Sequence, residues 1–211
     1  MTSIRARWLF LAAAVFAGAG GFWLAHQLDR ESPQLASGTW LPRSKTLPDF
    51  QLTDTTGRPF TQRDLRGAPT LVFFGFTHCP DVCPTTLQKL AQVKKRGAIA
   101  GLRVLFISLD PQRDTPPLLA MYVHAFDPQF QGLTGDPKAI AEVAATFQVA
   151  VSRVELPGGD YTMDLSAVVF LLDDAARIVA IFRPSFDVTA LSTDLGRTSA
   201  YLGAGHGRPV T

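Results

Sequence analysis

The residue types best suited to chemistry stand together in one segment, Phe73-Phe74-Gly75-Phe76-Thr77-His78-Cys79-Pro80-Asp81-Val82-Cys83-Pro84, which holds both cysteines of the 211-residue chain. Three residues separate Cys79 from Cys83, so their sulfurs can close a disulfide or grip one ion. A purely structural staple is the plainer reading, but a loop this short contributes little. Chain entropy assigns about 2 kcal/mol to closing five residues, against roughly 3 for fifteen. A close pair with nothing else to bridge points instead to redox or metal chemistry. The apolar run before the pair reads as a buried strand and the stretch after it as a helix. The helix N-terminus carries partial positive charge, which favours thiolate over thiol. Pro80 and Pro84 restrict the intervening loop and so pre-organise the pair. Thiolates are soft ligands that select Cu(I), or zinc where four ligands gather. Zinc is disfavoured, since the chain has no further cysteine and no histidine pair at ligand spacing.

Other candidates are weaker. His78 abuts Cys79, which makes simultaneous ligation awkward. His124 reads as a half-buried structural histidine in a helix, His206 as a surface residue of a Gly-rich tail, and His26 as part of a membrane boundary. Asp110 follows a strand neighbouring that of the cysteines, and it reads equally as an orienting group and as the start of an Asp-Pro turn. Asp114 reads first as the cap of the following helix. Asp81, between the cysteines, either tunes them or faces water.

The elements that must position the pair alternate in type. Phe50 and Leu52 mark a short strand, with Thr56-Gly57 as its turn, and Pro69 to Phe76 is a strand buried on both faces. A helix runs from Pro84 through Arg96 and ends at Gly97; Val104 to Leu109 is the next buried strand. Helices follow over 115–126, with Pro116 and Pro117 in the first turn, and over 136–147. Val149 and Val151 lie in a strand, and Pro157-Gly158-Gly159-Asp160 turns the chain. Segments 167–172 and 178–182 form a hairpin, and Asp187 caps a last helix carrying Leu191, Leu195 and Leu202. Such an order predicts an α/β fold around one central sheet.

The amino-terminal part predicts export. Residues 8–28, from Trp8 to Leu28, contain no charged side chain and are long enough to span a bilayer. Arg5 and Arg7 precede them, which places residues 1–7 in the cytoplasm and the remainder outside. Ala17-Gly18-Ala19 resembles a signal cleavage site, yet the apolar run continues past it through Ala25, which favours an uncleaved anchor. Residues 29–48, punctuated by Pro33, Pro42 and Pro48, read as a linker, 49–203 as the globular domain and 204–211 as a loose tail. The formal charge of +2 resides in Arg5 and Arg7; the chain beyond Leu28 is balanced and carries no nucleic-acid footprint. Aromatic content of 10% and apolar content of 46% exclude intrinsic disorder.

The C-x-x-x-C-P segment resembles the copper motif of the Sco/SenC family, thioredoxin-fold proteins that assist cytochrome c oxidase assembly. Ser108-Leu109-Asp110-Pro111-Gln112-Arg113-Asp114-Thr115-Pro116 resembles the family's second signature segment and Gly132-Leu133-Thr134-Gly135 its third. Tyr161, Asp164 and Ser166, followed by Phe170-Leu171-Leu172-Asp173, resemble a fourth. The resemblance covers roughly 50–201 and implies a thioredoxin-like fold with a central mixed sheet flanked by helices. It implies Cys79 and Cys83 as copper ligands and as a redox-active pair. It further implies a single-pass protein whose domain is extracytoplasmic, with the CuA-bearing oxidase subunit as partner. A periplasmic copper carrier or thiol–disulfide protein is a second partner class. The family's fourth segment reads Asp-His-Ser, its histidine being a third copper ligand, whereas this chain has Asp164-Leu165-Ser166. Leucine cannot donate to a metal, so Cu(I) is expected and stable Cu(II) is not. Two roles stand side by side: Cu(I) carriage as a metallochaperone, and thiol–disulfide exchange that keeps a partner's metal-binding cysteines reduced. A non-catalytic domain with a structural disulfide is the third.

Overall fold

The computed structural model describes residues 33–203 together with Gly20, Gly21 and Trp23. The expected anchor therefore falls almost wholly outside the described residues, as do the expected tail over 204–211 and His26 and His206. Among the described residues no helix is long and apolar enough to cross a membrane.

Among the described residues, ten strands and four helices follow Pro33. The strands are β1 (Gly38–Thr46), β2 (Gln51–Asp54), β3 (Pro59–Thr61), β4 (Thr70–Gly75), β5 (Arg103–Ser108), β6 (Gln131–Thr134), β7 (Val151–Glu155), β8 (Tyr161–Leu165), β9 (Val169–Leu172) and β10 (Arg177–Phe182). The helices are α1 (Val82–Lys95), α2 (Pro116–His124), α3 (Pro137–Thr146) and α4 (Val188–Gly203). Eight strands form one mixed sheet in the order β1-β10-β9-β4-β5-β6-β2-β3, while β7 and β8 pair as a separate hairpin. β4, β5 and β6 are parallel and joined by α1 and α2; β9 runs antiparallel to β4 on its other side.

The sheet divides the core in two, because successive side chains of a strand point to opposite faces. Leu71 and Phe73 of β4 join Val104 and Phe106 of β5 beneath Leu87, Leu90, Leu119, Val123, Leu191 and Leu195 of α1, α2 and α4. Val72 and Phe74 face the other way, with Leu105 and Ile107, against Ile140, Val143 and Phe147 around α3. Every residue of β4 is buried, as its unbroken apolar run requires. Asp136 caps α3 through the N–H groups of Lys138 and Ala139, and Asp187 caps α4 through those of Thr189 and Ala190.

The linker expected over 29–48 needs correction. Residues 38–46 are a strand of the sheet, β1, paired antiparallel with β10 from Gly38 opposite Phe182 to Thr46 opposite Arg177. Just before it, the N–H groups of Ala36 and Ser37 and the Ser37 hydroxyl donate to the buried carboxylate of Asp194 on α4. β1 hides from periodicity because it is an outer, mostly uncovered strand. It contains Pro42, which an edge tolerates, and its register shifts between Trp40 and Lys45.

Candidate functional site

The cysteine pair sits where β4 hands the chain to α1, at the end of the sheet. Helix α1 begins at Val82, two residues earlier than expected, so Cys83 lies in its first turn and Asp81 takes the N-cap position. Asp81 is exposed and caps no N–H with its side chain. Both thiols are free and sheltered: Cys79 is 8% exposed and Cys83 fully buried among Leu87, Phe106 and the rest of that core. Gly75 makes the arrangement possible. A Cβ there would lie 2.9 Å from the Cys83 sulfur and 2.7 Å from the Phe106 ring, so only glycine admits the sulfur against the strand end.

The two thiols are made unequal. A hydrogen bond from the Cys83 thiol, opposed by burial and aided by the N–H groups of Cys83, Asp81 and Val82, lowers Cys79 to about 6. These donors are the helix mouth acting as an anion site. Cys83 is pushed up, first because its proton is held by Cys79 and then by burial, with the charges of Cys79 and Asp114 adding to it. Cys79 is thus biased toward the thiolate and Cys83 toward the thiol.

Asp114 differs from its expected role. Thr115 occupies the N-cap position of α2, and Asp114 instead turns inward, fully buried. Its carboxylate accepts from the Thr77 N–H at 3.0 Å, the Thr77 hydroxyl at 2.6 Å and the Ser108 hydroxyl at 2.5 Å. It thereby anchors the turn that delivers Cys79, whose own N–H donates to the Phe76 carbonyl.

Asp110 serves as both turn and anchor. Its carbonyl accepts from the N–H groups of Arg113 and Asp114, while its buried carboxylate receives Arg113 Nε at 2.5 Å and the Tyr161 hydroxyl at 2.7 Å. The Tyr161 ring is stacked between the guanidinium groups of Arg113 and Arg153, 3.8 and 3.7 Å from its centroid. This clamp fastens the β7–β8 hairpin to the loop after β5. Leu165 ends β8, opposite Val151, and packs against both apolar clusters, one of which contains the two cysteines.

Neither described histidine joins the pair. His78 is exposed, its Nδ1 3.1 Å from the Thr77 hydroxyl. His124, expected to be half-buried, is exposed at the end of α2 because Leu119 and Val123 take the inward face. Among the described residues no three His, Cys, Asp or Glu side chains are grouped to hold a metal ion. What the site offers is two adjacent soft donors in a dry setting, which fits Cu(I) in low coordination and a dithiol–disulfide couple alike.

Gly75, Thr77, Tyr122 and Arg113 are site residues that the sequence reading passed over. Tyr122 projects from α2 with its ring 5.7 Å from that of Phe106 and a buried hydroxyl lacking a hydrogen-bond partner. Burial, then the charges of Cys83 and Cys79, raise its phenol above the ordinary value. Spacing to the cysteines announces none of the four, although Gly75, Thr77 and Arg113 lie inside the first two quoted segments.

Comparison with known proteins bears on the family and the fold. A family model described as SCO1/SenC matches residues 40–199. The mitochondrial Protein SCO2 homolog of Bos taurus is 39% identical over 171 residues, 78% of this chain and 64% of that protein, so the chain spans under two thirds of that relative's length. The copper-bound structure of ScoI from Bradyrhizobium japonicum is 42% identical, with a TM-score of 0.65 over 72% of this chain and 98% of that one. The copper-bound ScoI of Arabidopsis thaliana is 34% identical, with a TM-score of 0.68 over 74% of this chain and 98% of that one. With a thioredoxin-like mixed sheet that presents two sheltered thiols at a helix mouth, the chain belongs to the SCO1/SenC family.

Proposed function

We propose that this chain is a membrane-anchored, extracytoplasmic copper carrier. It holds Cu(I) on Cys79 and Cys83 and passes it to the CuA-bearing subunit of cytochrome c oxidase, the role implied by its family resemblance. The observation that carries the reading is the pair of free thiols held side by side at the mouth of α1. Thiolate sulfur is soft and so is Cu(I), and the apolar walls exclude competing water. Binding displaces the thiol protons, so loading strengthens as pH rises. The copper bound in the two ScoI structures supports the same reading. Anchoring through residues 8–28 would keep the domain beside a membrane-embedded partner, with residues 1–7 in the cytoplasm.

The inequality of the thiols favours a second reading. A nucleophilic Cys79 beside a protonated Cys83 suits thiol–disulfide exchange. Cys79 attacks a partner disulfide, Cys83 then attacks the mixed disulfide, and two electrons leave this chain as the partner becomes a dithiol. Anaerobic titration of the reduced full chain with Cu(I), metal counted per chain, separates the two. One copper per chain, lost in Cys79→Ser and Cys83→Ser, is expected for carriage. No uptake by a protein whose disulfide remains reversible would overturn carriage in favour of exchange.

A further inference from the structure

We infer that Met163 supplies the third donor of the copper site, making it an all-sulfur site of two thiolates and one thioether. The inference rests on the copper reading above and assigns the ligand that position 165, a leucine, does not provide. Met163 lies on β8, and side chains alternate along a strand, so Tyr161, Met163 and Leu165 share one face. That face is turned toward the body of the domain: Met163 and Leu165 both pack against the apolar cluster that contains Cys79 and Cys83.

A chain of contacts leads from Met163 toward the cysteines by way of Leu109 and Gly75. Met163 lines a small cavity together with Leu109 and Asp110. The Leu109 N–H donates to the Gly75 carbonyl at 2.7 Å, and Gly75 is the residue against which the Cys83 sulfur rests. Two residues upstream, the Tyr161 clamp on Asp110, Arg113 and Arg153 fixes how β8 lies over this loop. A donor carried on a strand, with its neighbour locked by a hydrogen bond and two stacked guanidinium groups, is held better than one on a free loop. Methionine is unbranched and flexible, so its thioether can change position by rotamer alone, without moving the backbone.

The chemistry selects the same residue. Two thiolates bind a soft ion, and a thioether is soft, neutral and adds no charge to a buried site. Among the described residues no carboxylate, imidazole or third thiol groups with the cysteine pair. The other described methionine, Met121, is 72% exposed on the outer side of α2. A site with sulfur alone holds Cu(I) and disfavours Cu(II), which prefers nitrogen and oxygen donors in a tetragonal arrangement.

Selenomethionine labelling of the full chain tests this without altering a contact. The reduced, labelled protein is loaded anaerobically with Cu(I), and X-ray absorption is recorded at the selenium and copper edges. Expected are direct selenium–copper scattering, its persistence in Met121→Leu, and its loss in Met163→Leu. The affinity for Cu(I), measured by competition with bathocuproine disulfonate, should also fall about tenfold or more in Met163→Leu. One cysteine-dependent copper per chain without selenium–copper scattering overturns the assignment of Met163 and leaves the copper reading standing. Copper that fails to load, or that loads equally in Cys79→Ser, overturns both.

Discussion

Cys79 and Cys83 are chemically alike in the sequence and opposite in the fold. Cys79 is stabilised as thiolate by the Cys83 thiol and three backbone N–H groups, Cys83 as thiol by its bond to Cys79 and by burial. Alkylation of Cys79 should therefore follow a titration near pH 6, and Cys83→Ala, which deletes the leading donor, should move the midpoint upward toward the ordinary thiol value of 9.0. Iodoacetamide rates against pH, with the modified residue located by mass spectrometry, check this. The same shift links to stability. A depressed acid stabilises the fold fully above its unfolded value and loses that contribution as pH falls through about 6; the raised Cys83 acts in the opposite sense at alkaline pH. Gly75 is the second residue-scale device. In Gly75→Ala the new methyl group meets the Cys83 sulfur and the Phe106 ring. An overpacked site of this kind costs about 1–3 kcal/mol, to be read from urea denaturation of the reduced protein.

At the scale of elements, the site is a meeting of three connections held by buried carboxylates. Asp114 ties the turn before Cys79 to the end of β5, and Asp110 ties the loop after β5 to the β7–β8 hairpin. The hairpin is otherwise lightly held, since every residue of β7 is exposed and β8 is only partly covered. Its placement over the cysteine end of the sheet thus leans on Tyr161. Tyr161→Phe keeps both stacked guanidinium groups but removes the hydroxyl that donates to Asp110. Losing one hydrogen bond to a buried carboxylate costs about 1.5–3 kcal/mol. Backbone amides of 151–165 should exchange faster with solvent deuterium in that variant, while β4 and β5 stay as protected as before. Equal acceleration everywhere would mean that Tyr161 supports the whole domain and not the hairpin.

At the scale of the molecule, the domain begins before its apolar pattern does. β1 covers the outer edge of β10, Trp40 packs edge-on against Tyr201 of α4 at 5.2 Å, and Asp194 holds the chain entering β1. A chain beginning at Pro33 retains all of these contacts, and one beginning at Pro48 retains none. The shorter chain should melt roughly 6–12 °C lower by calorimetry, the drop that a loss of about 3 kcal/mol gives at this size. Equal melting temperatures would return residues 38–46 to the status of a tether.

The sequence by itself determined the local features. The buried strands β4 and β5 follow from unbroken apolar runs, α4 from Asp187 as its cap, and the cysteine pair from its spacing before a helix. The order of elements and four signature segments were enough to reach the family. Each of these is written within some ten neighbouring residues, which is the range over which periodicity, capping and turn chemistry act. Tertiary structure alone decided the rest. β1 finds its partner about 140 positions later, and its exposed edge position erases the apolar alternation that would have marked it. Asp114 looks like a helix cap beside Thr115, and only the approach of Thr77 and Ser108 from other segments turns it inward. His124 has the neighbours of a half-buried residue along the chain, yet the direction of α2 against the sheet leaves it in solvent. The unequal thiols, the space at Gly75 and the clamp on Tyr161 arise from burial and from groups brought together across the fold. Such energies depend on distance in space, which no spacing along the chain records.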